Sequence, residues 1–160
     1  MKPKVYLETT IPSLLTAWPS RDLIIAADQQ VTKEWWRTRR RDFELFVSQV
    51  VLDETAEGDK AAAVARLAEI RGLPILEVNG EVEQVARAVL NSGLIPVKAS
   101  NDALHLAVAA VHQMHFLLTW NCRHLANAAI GGQLAATCPQ AGFEMPVICT
   151  PRELMLKPTV

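Results

Sequence analysis

The fold is decided by the stretch Ser100-Asn101-Asp102-Ala103-Leu104-His105-Leu106-Ala107-Val108-Ala109-Ala110, followed shortly by Phe116-Leu117-Leu118-Thr119-Trp120-Asn121. The first part predicts the start of a buried helix, with one acid, Asp102, in its first turn. The second part predicts a buried strand that ends on a polar side chain. The helix dipole by itself stabilises a carboxylate at a helix N-terminus. A functional role for Asp102 therefore depends on which other polar groups the fold brings to it.

Outward from this stretch, short apolar runs alternate with helical patterns along the whole chain. Five runs predict strands, at residues 4–7, 43–47, 74–78, 115–119 and 146–149. Strands separated by helices imply crossover connections and a parallel sheet. Strands with little polar alternation are covered on both faces. We therefore expect an α/β fold, with a central five-stranded parallel sheet and helices on both faces, in a single domain over residues 1–160.

Several local details are predicted at the same time. Ile24, Ala27, Val31 and Trp35 recur at helical spacing within a helix predicted over residues 21–40, and should form its face toward the core. Proline restricts the residue before it to extended shapes, so residue 11 should be extended. A side chain at residue 100 or 101 is expected to cap the helix that runs to residue 111. Residues 95–99 are expected to form an extended link, and residues 123–134 a helix.

Composition limits the class of protein. The 160 residues make one ordinary domain, and with half of them hydrophobic and only 21% charged, disorder is excluded. The net charge of −1 excludes a general electrostatic grip on nucleic acid, so a contact with RNA would need a local basic patch.

The cysteines and the hydropathy of the chain indicate the cellular compartment in which the protein is expected. The three cysteines have no short paired spacing, which argues against a disulfide framework and for a reducing compartment. The N-terminus lacks the long apolar core of a signal peptide. The apolar run over residues 103–120 contains histidines and a glutamine, and is better explained as a helix followed by a strand than as a membrane span. We expect a cytoplasmic protein without a membrane segment.

Four polar side chains are predicted to meet at one edge of the sheet. Glu8 and Asn121 each follow a strand, Glu54 lies early in the helix after the second strand, and Asp102 opens the central helix. Strand C-termini and helix N-termini share an edge of a parallel sheet, where ligands bind. Three carboxylates held together repel one another, and a divalent cation removes that conflict. Oxygen ligands suit Mg²⁺ or Mn²⁺, which activates water and stabilises a phosphodiester transition state.

The same pieces resemble PIN domains, in the group that includes the VapC-type toxins of bacterial toxin–antitoxin pairs. The resemblance spans nearly the whole chain and is carried by Glu8-Thr9-Thr10, Ser48 to Glu54, Asp102-Ala103-Leu104-His105-Leu106-Ala107 and Thr119-Trp120-Asn121. It implies a metal-dependent endoribonuclease that hydrolyses RNA, a homodimer, and inhibition by a cognate antitoxin. Glu8, Glu54 and Asp102 would be the metal ligands and, with Asn121, the catalytic residues.

Two departures from that pattern leave an alternative open. Glu8 stands where the resembled family has an Asp, and Asn121 stands where it has a fourth acid. A neutral fourth residue is equally consistent with a catalytically weak or inactive module that binds RNA or protein. Glu54 has a structural alternative as a solvated helix residue, and Asn121 as a turn residue. Thr10 and Thr119 would either orient ligands through hydrogen bonds or cap helices.

The remaining polar candidates are weaker. His105 is predicted to be a satisfied core residue, since no acid or cysteine at normal zinc-site spacing accompanies His105, His112 and His115. His124 is expected near the mouth of the site.

The densest basic run includes Arg39 and Arg40, which would contact RNA phosphates or simply end a helix. Trp35 and Trp36 are adjacent, so one of them should face outward, and Trp36 is a candidate partner contact.

Overall fold

The computed structural model describes residues 1–157, and its framework is a five-stranded sheet in which every strand pair is parallel. The strand order is β3-β2-β1-β4-β5. The predicted α/β architecture is confirmed. The single domain predicted over residues 1–160 includes residues 158–160, which lie outside the described part. The strands are β1 (Lys4–Leu7), β2 (Glu44–Ser48), β3 (Ile75–Leu76), β4 (Phe116–Leu118) and β5 (Val147–Cys149).

Seven α-helices connect and cover the strands in the described part of the chain. Two short 3₁₀ helices, Arg40–Asp42 and Val97–Ala99, precede β2 and the central helix. Helix boundaries follow local signals: Asp22, Ser48, Asp59 and Asn79 cap the helices that follow them. The helices are α1 (Thr10–Thr16), α2 (Leu23–Thr38), α3 (Gln49–Thr55), α4 (Lys60–Ile70), α5 (Gly80–Asn91), α6 (Ser100–Val111) and α7 (Ala128–Gln140).

The core lies on both faces of the central strand. Val5, Tyr6 and Leu7 are consecutive in β1 and all three are fully buried. Because successive strand residues point to opposite faces, both faces of the sheet must be covered. Val5 pairs with Leu45 of β2 on one side and Phe116 of β4 on the other.

The strand order creates a switch point beside β1. The chain runs from β1 to β2 and β3 on one side, and β4 and β5 then lie on the other side. In open parallel sheets, ligands bind outside the carboxyl ends of the strands at such a point. Glu8 directly follows β1 there, and Asn121 follows β4 by three residues.

Several local predictions are wrong in detail. Ile11 is helical, because Pro12 occupies the first turn of α1, where a missing N–H costs no hydrogen bond. Helix α6 begins at Ser100 without a side-chain cap, since a 3₁₀ turn leads directly into it. That turn replaces part of the extended link expected over residues 95–99. The last long helix starts at residue 128, after the Asn127 cap, and not at residue 123.

The inward face of α2 also differs from the prediction. Ile24 and Ala27 are exposed, while Gln29, Thr32 and Trp35 are buried. The buried stripe therefore carries polar residues in its first half, and the apolar periodicity there marks the outer surface. Periodicity alone predicts which residues share a face, but it cannot say which face meets the core.

None of the helices in residues 1–157 has the length and apolar character needed to cross a membrane. The apolar run over residues 103–120 divides into α6 and β4, as the sequence predicts.

Candidate metal centre at the carboxyl edge of the sheet

Glu8 is a buried acid held in one orientation at the end of β1. Its backbone N–H continues the sheet ladder by donating to the carbonyl of Leu118, and the residue is only 4% exposed. Its Oε2 accepts hydrogen bonds from the backbone N–H of Thr10 (3.0 Å) and from the hydroxyls of Thr10 and Thr119 (2.8 Å for Thr119). The Thr10 hydroxyl in turn accepts from the N–H of Trp120 (2.8 Å). Both threonines therefore orient the carboxylate, and neither makes a side-chain helix cap.

Only one oxygen of Glu8 is used in this way. Within residues 1–157, Oε1 accepts no hydrogen bond, and it lies 4.0 Å from Nε2 of His105. The oxygen keeps some access to solvent, because it is not one of the enclosed side-chain atoms that lack a partner in residues 1–157. A carboxylate oxygen of this kind can meet a cation or water. Glu8 therefore presents a free ligand atom to the edge of the sheet.

Glu54 approaches the same point from α3. Ser48 ends β2 and caps α3, which sets the direction of the helix. Oε1 of Glu54 accepts from the hydroxyl of Thr9 (2.6 Å) and lies 2.6 Å from Nε2 of His105, while Oε2 accepts from the amide of Asn101 (3.3 Å). Burial raises the pKa of this carboxyl, but the hydrogen bond and positive charge of His105, with the two other donors, outweigh burial and lower it below its usual range.

His105 completes a group of three possible ligands. One ligand atom each of Glu8, Glu54 and His105 lies within 4.8 Å of the other two. Both Glu8 and His105 are buried, and the Glu54 side chain is 25% exposed. Two carboxylates and an imidazole around a small space are a donor set that fits a divalent cation, so these residues could hold one.

Asp102 and Asn121 are engaged in a neighbouring arrangement. Oδ2 of Asp102 lies 2.8 Å from Nδ1 of His124, and Oδ1 of Asn121 accepts from the backbone N–H of His124 (3.0 Å). Asp102 does not contribute to the group of ligand atoms within 4.8 Å of one another that residues 1–157 contain. Its predicted role as a metal ligand would fall to Oδ1, because Oδ2 contacts His124. Asn121 has the turn-stabilising contact that its structural alternative requires.

No acid stands at zinc-site spacing from the histidines in the sequence, but the fold brings two acids to His105 from elsewhere. Spacing rules find only ligands that are close in sequence, whereas Glu8 and Glu54 reach His105 from two other elements. The available signal was its position three residues after Asp102, which puts both side chains on one face of the helix. The prediction that His105 is buried and hydrogen-bonded is confirmed.

The predicted surface contacts are placed differently from expectation. Trp35 is fully buried and Trp36 is 9% exposed, so the prediction that Trp36 faces outward is wrong. The guanidinium of Arg40 covers the Trp36 ring, 4.7 Å from its centroid. Arg39 is buried against Asp42 (2.7 Å), which leaves little of it for an RNA phosphate.

Large apolar side chains are exposed elsewhere, near the start of α2. Trp18 is 91% exposed, Leu23 85% and Ile24 75%. The sequence pattern assigns Ile24 to the core face of its helix and does not single out Trp18 or Leu23.

No protein-family model matches this chain, and no curated protein matches its sequence. The likeness to PIN domains therefore depends on the four short motifs and on the parallel sheet with its acidic edge.

Proposed function

We propose that this protein is a metal-dependent endoribonuclease of the PIN type, the toxin of a toxin–antitoxin pair that acts in the cytoplasm. The observation that carries the proposal is the meeting of Glu8 and Glu54 beside His105, with one ligand atom of each residue within 4.8 Å of the other two. Two carboxylates held this close repel each other unless a cation or a shared proton lies between them. A resident Mg²⁺ or Mn²⁺ would activate water and stabilise charge on a phosphodiester.

In this proposal, different residues of the chain bind the ion, orient its ligands and take part in catalysis. Glu8 and Glu54 would hold the ion, and Thr10 and Thr119 keep the Glu8 carboxylate turned toward it. Asp102 is retained as a catalytic residue, because it orients the imidazole of a neighbouring histidine at the same edge of the sheet.

The test is cleavage of a mixed pool of structured RNAs by the purified protein, with Mn²⁺, with Mg²⁺ and with a chelator. We expect cuts that need metal and that disappear in Glu8→Gln, which keeps the size of the side chain and removes its charge. Glu57→Gln is the matched control. Glu57 is exposed just after the helix that carries Glu54, so this variant should cleave RNA at the wild-type rate. Cleavage by Glu8→Gln at the wild-type rate, or cleavage that persists in chelator, would contradict the proposal.

One observation favours a second candidate, a PIN-type module that binds RNA or protein with little catalysis. Asn121 supplies no charge, and its side-chain oxygen is used by a backbone N–H. A metal titration separates the two candidates: a catalytic site should bind Mn²⁺, and a degenerate one should not.

The proposed partners are the RNA substrate, a cognate antitoxin and a second copy of the chain. For the protein partners, the exposed apolar residues at the start of α2 are better placed than Trp36.

A further inference from the structure

The imidazole of His105 lies where a metal ligand would lie, and it is fully buried. Its Nε2 is 2.6 Å from Oε1 of Glu54 and 4.0 Å from Oε1 of Glu8. A metal ion with bonds of about 2.1 Å holds neighbouring ligand atoms about 3 Å apart. The two observed separations bracket that value, so small side-chain adjustments would bring all three atoms to bonding distance.

The other ring nitrogen is fixed by a chain of buried hydroxyls. Nδ1 of His105 is 2.7 Å from the hydroxyl of Tyr6, which is 2.7 Å from Oγ of Ser48. A tyrosine phenol carries its proton at neutral pH, so it can accept one hydrogen bond and donate another. Nδ1–H can then donate to Tyr6, and Tyr6 to Ser48. Metal-ligating histidines carry such an outer hydrogen bond, which turns the other nitrogen toward the ion.

We propose that His105 Nε2 is itself a ligand, so that Glu8, Glu54 and His105 form a site with two oxygens and one nitrogen that prefers a first-row transition ion to Mg²⁺. The inference deepens the proposed function, because it concerns the metal of the same site. Imidazole nitrogen suits first-row ions such as Fe²⁺, Ni²⁺ and Zn²⁺, whereas Mg²⁺ is held by oxygen ligands and retained waters. The all-oxygen set expected from the sequence is thereby replaced.

Access to the site is one-sided. Glu8 and His105 are buried, and the Glu54 side chain, 25% exposed, is the member of the group that reaches solvent. A site with three protein ligands and an open side retains positions for water or a substrate oxygen.

The experiment is Mn²⁺ binding to the full chain by calorimetry, followed by pulsed electron paramagnetic resonance of bound Mn²⁺ to detect a directly coordinated ¹⁴N. We expect ¹⁴N coupling in the wild type, and Mn²⁺ binding at least about 10-fold tighter than Mg²⁺ binding. His105→Gln should lose the coupling and the preference. His112→Gln should keep both, because the His112 side chain lies just past the C-terminal end of α6 and bonds the carbonyl of Glu77.

Several results would overturn the inference. These are absence of Mn²⁺ binding, bound Mn²⁺ without ¹⁴N coupling, or coupling that survives in His105→Gln and is lost in His124→Gln. The wild-type spectrum decides the question even if His105→Gln fails to fold. RNA cleavage is measured separately: cleavage without ¹⁴N coupling would refute only the ligand assignment, and coupling without cleavage would refute only the nuclease proposal.

Discussion

Removing a single buried hydroxyl, with Tyr6→Phe, tests whether the hydrogen-bond chain behind the metal centre is formed as described. The hydroxyl makes two contacts of 2.7 Å, one to Nδ1 of His105 and one to Oγ of Ser48. Ser48 keeps the hydrogen bond that it accepts from the N–H of Val51, whereas the fully buried His105 loses its only Nδ1 partner. Loss of the hydroxyl therefore costs more free energy at His105, which keeps no partner for Nδ1, than at Ser48.

The expected free-energy change follows from those contacts. A buried polar group left without a partner costs about 1–3 kcal/mol, and the second lost hydrogen bond about 1 kcal/mol. Phe is more easily buried than Tyr, which offsets part of this cost. We expect the free energy of unfolding to fall by about 2–3 kcal/mol, equivalent to a drop in Tm of about 5–10 °C for a domain of this size.

The assay is urea unfolding followed by circular dichroism, with Thr137→Val as the control. Thr137 is also buried, but its hydroxyl donates only to a carbonyl of its own helix, so its removal should lower the free energy of unfolding by about 1 kcal/mol or less. A Tyr6→Phe variant as stable as the wild type would show that the hydrogen bonds from Tyr6 to His105 and Ser48 are not formed as described. Weaker Mn²⁺ binding in the same variant is also expected, because an unsupported imidazole loses its orientation.

Asp102→Asn should fold normally and lower RNA cleavage by at least about 100-fold, because it weakens the contact that orients His124, and unchanged turnover would contradict its catalytic role. Since the Glu54 pKa is lowered in the folded state, its ionised form stabilises the protein above the ordinary glutamate pKa of 4.5, and this contribution is lost as the pH falls through the lowered pKa. Urea midpoints between about pH 7 and about pH 3 should therefore fall less steeply in Glu54→Gln, and identical profiles would contradict the assignment. A thiol reagent should label the exposed Cys122 in the native protein, whereas burial raises the pKa of the Cys149 thiol to about 12 and should protect it until the chain unfolds.

Part of the candidate site could be predicted from the sequence, because the strand order of a parallel sheet decides which residues lie at its carboxyl edge. A residue directly after a strand, such as Glu8, or in the helix after a strand, such as Glu54, must lie at the carboxyl edge once the sheet is parallel. The sequence could not show that Nε2 of His105 points between these two acids, because that depends on how α6 is rotated against β1 and α3. Nor could it show that Asp102 points to His124 and away from the acid pair.

By itself, the sequence determined the α/β class and the five strands, because hydrophobic period and turn residues act over a few neighbouring positions. Only the tertiary structure decided which surface each helix buries and which side chains meet. The outward turn of the apolar residues at the start of α2, the burial of Trp36 under Arg40 and the union of Glu8, Glu54 and His105 all depend on packing between elements far apart in the chain. The physical reason is that such contacts are selected by the complementarity of whole surfaces, which no local stretch of sequence contains.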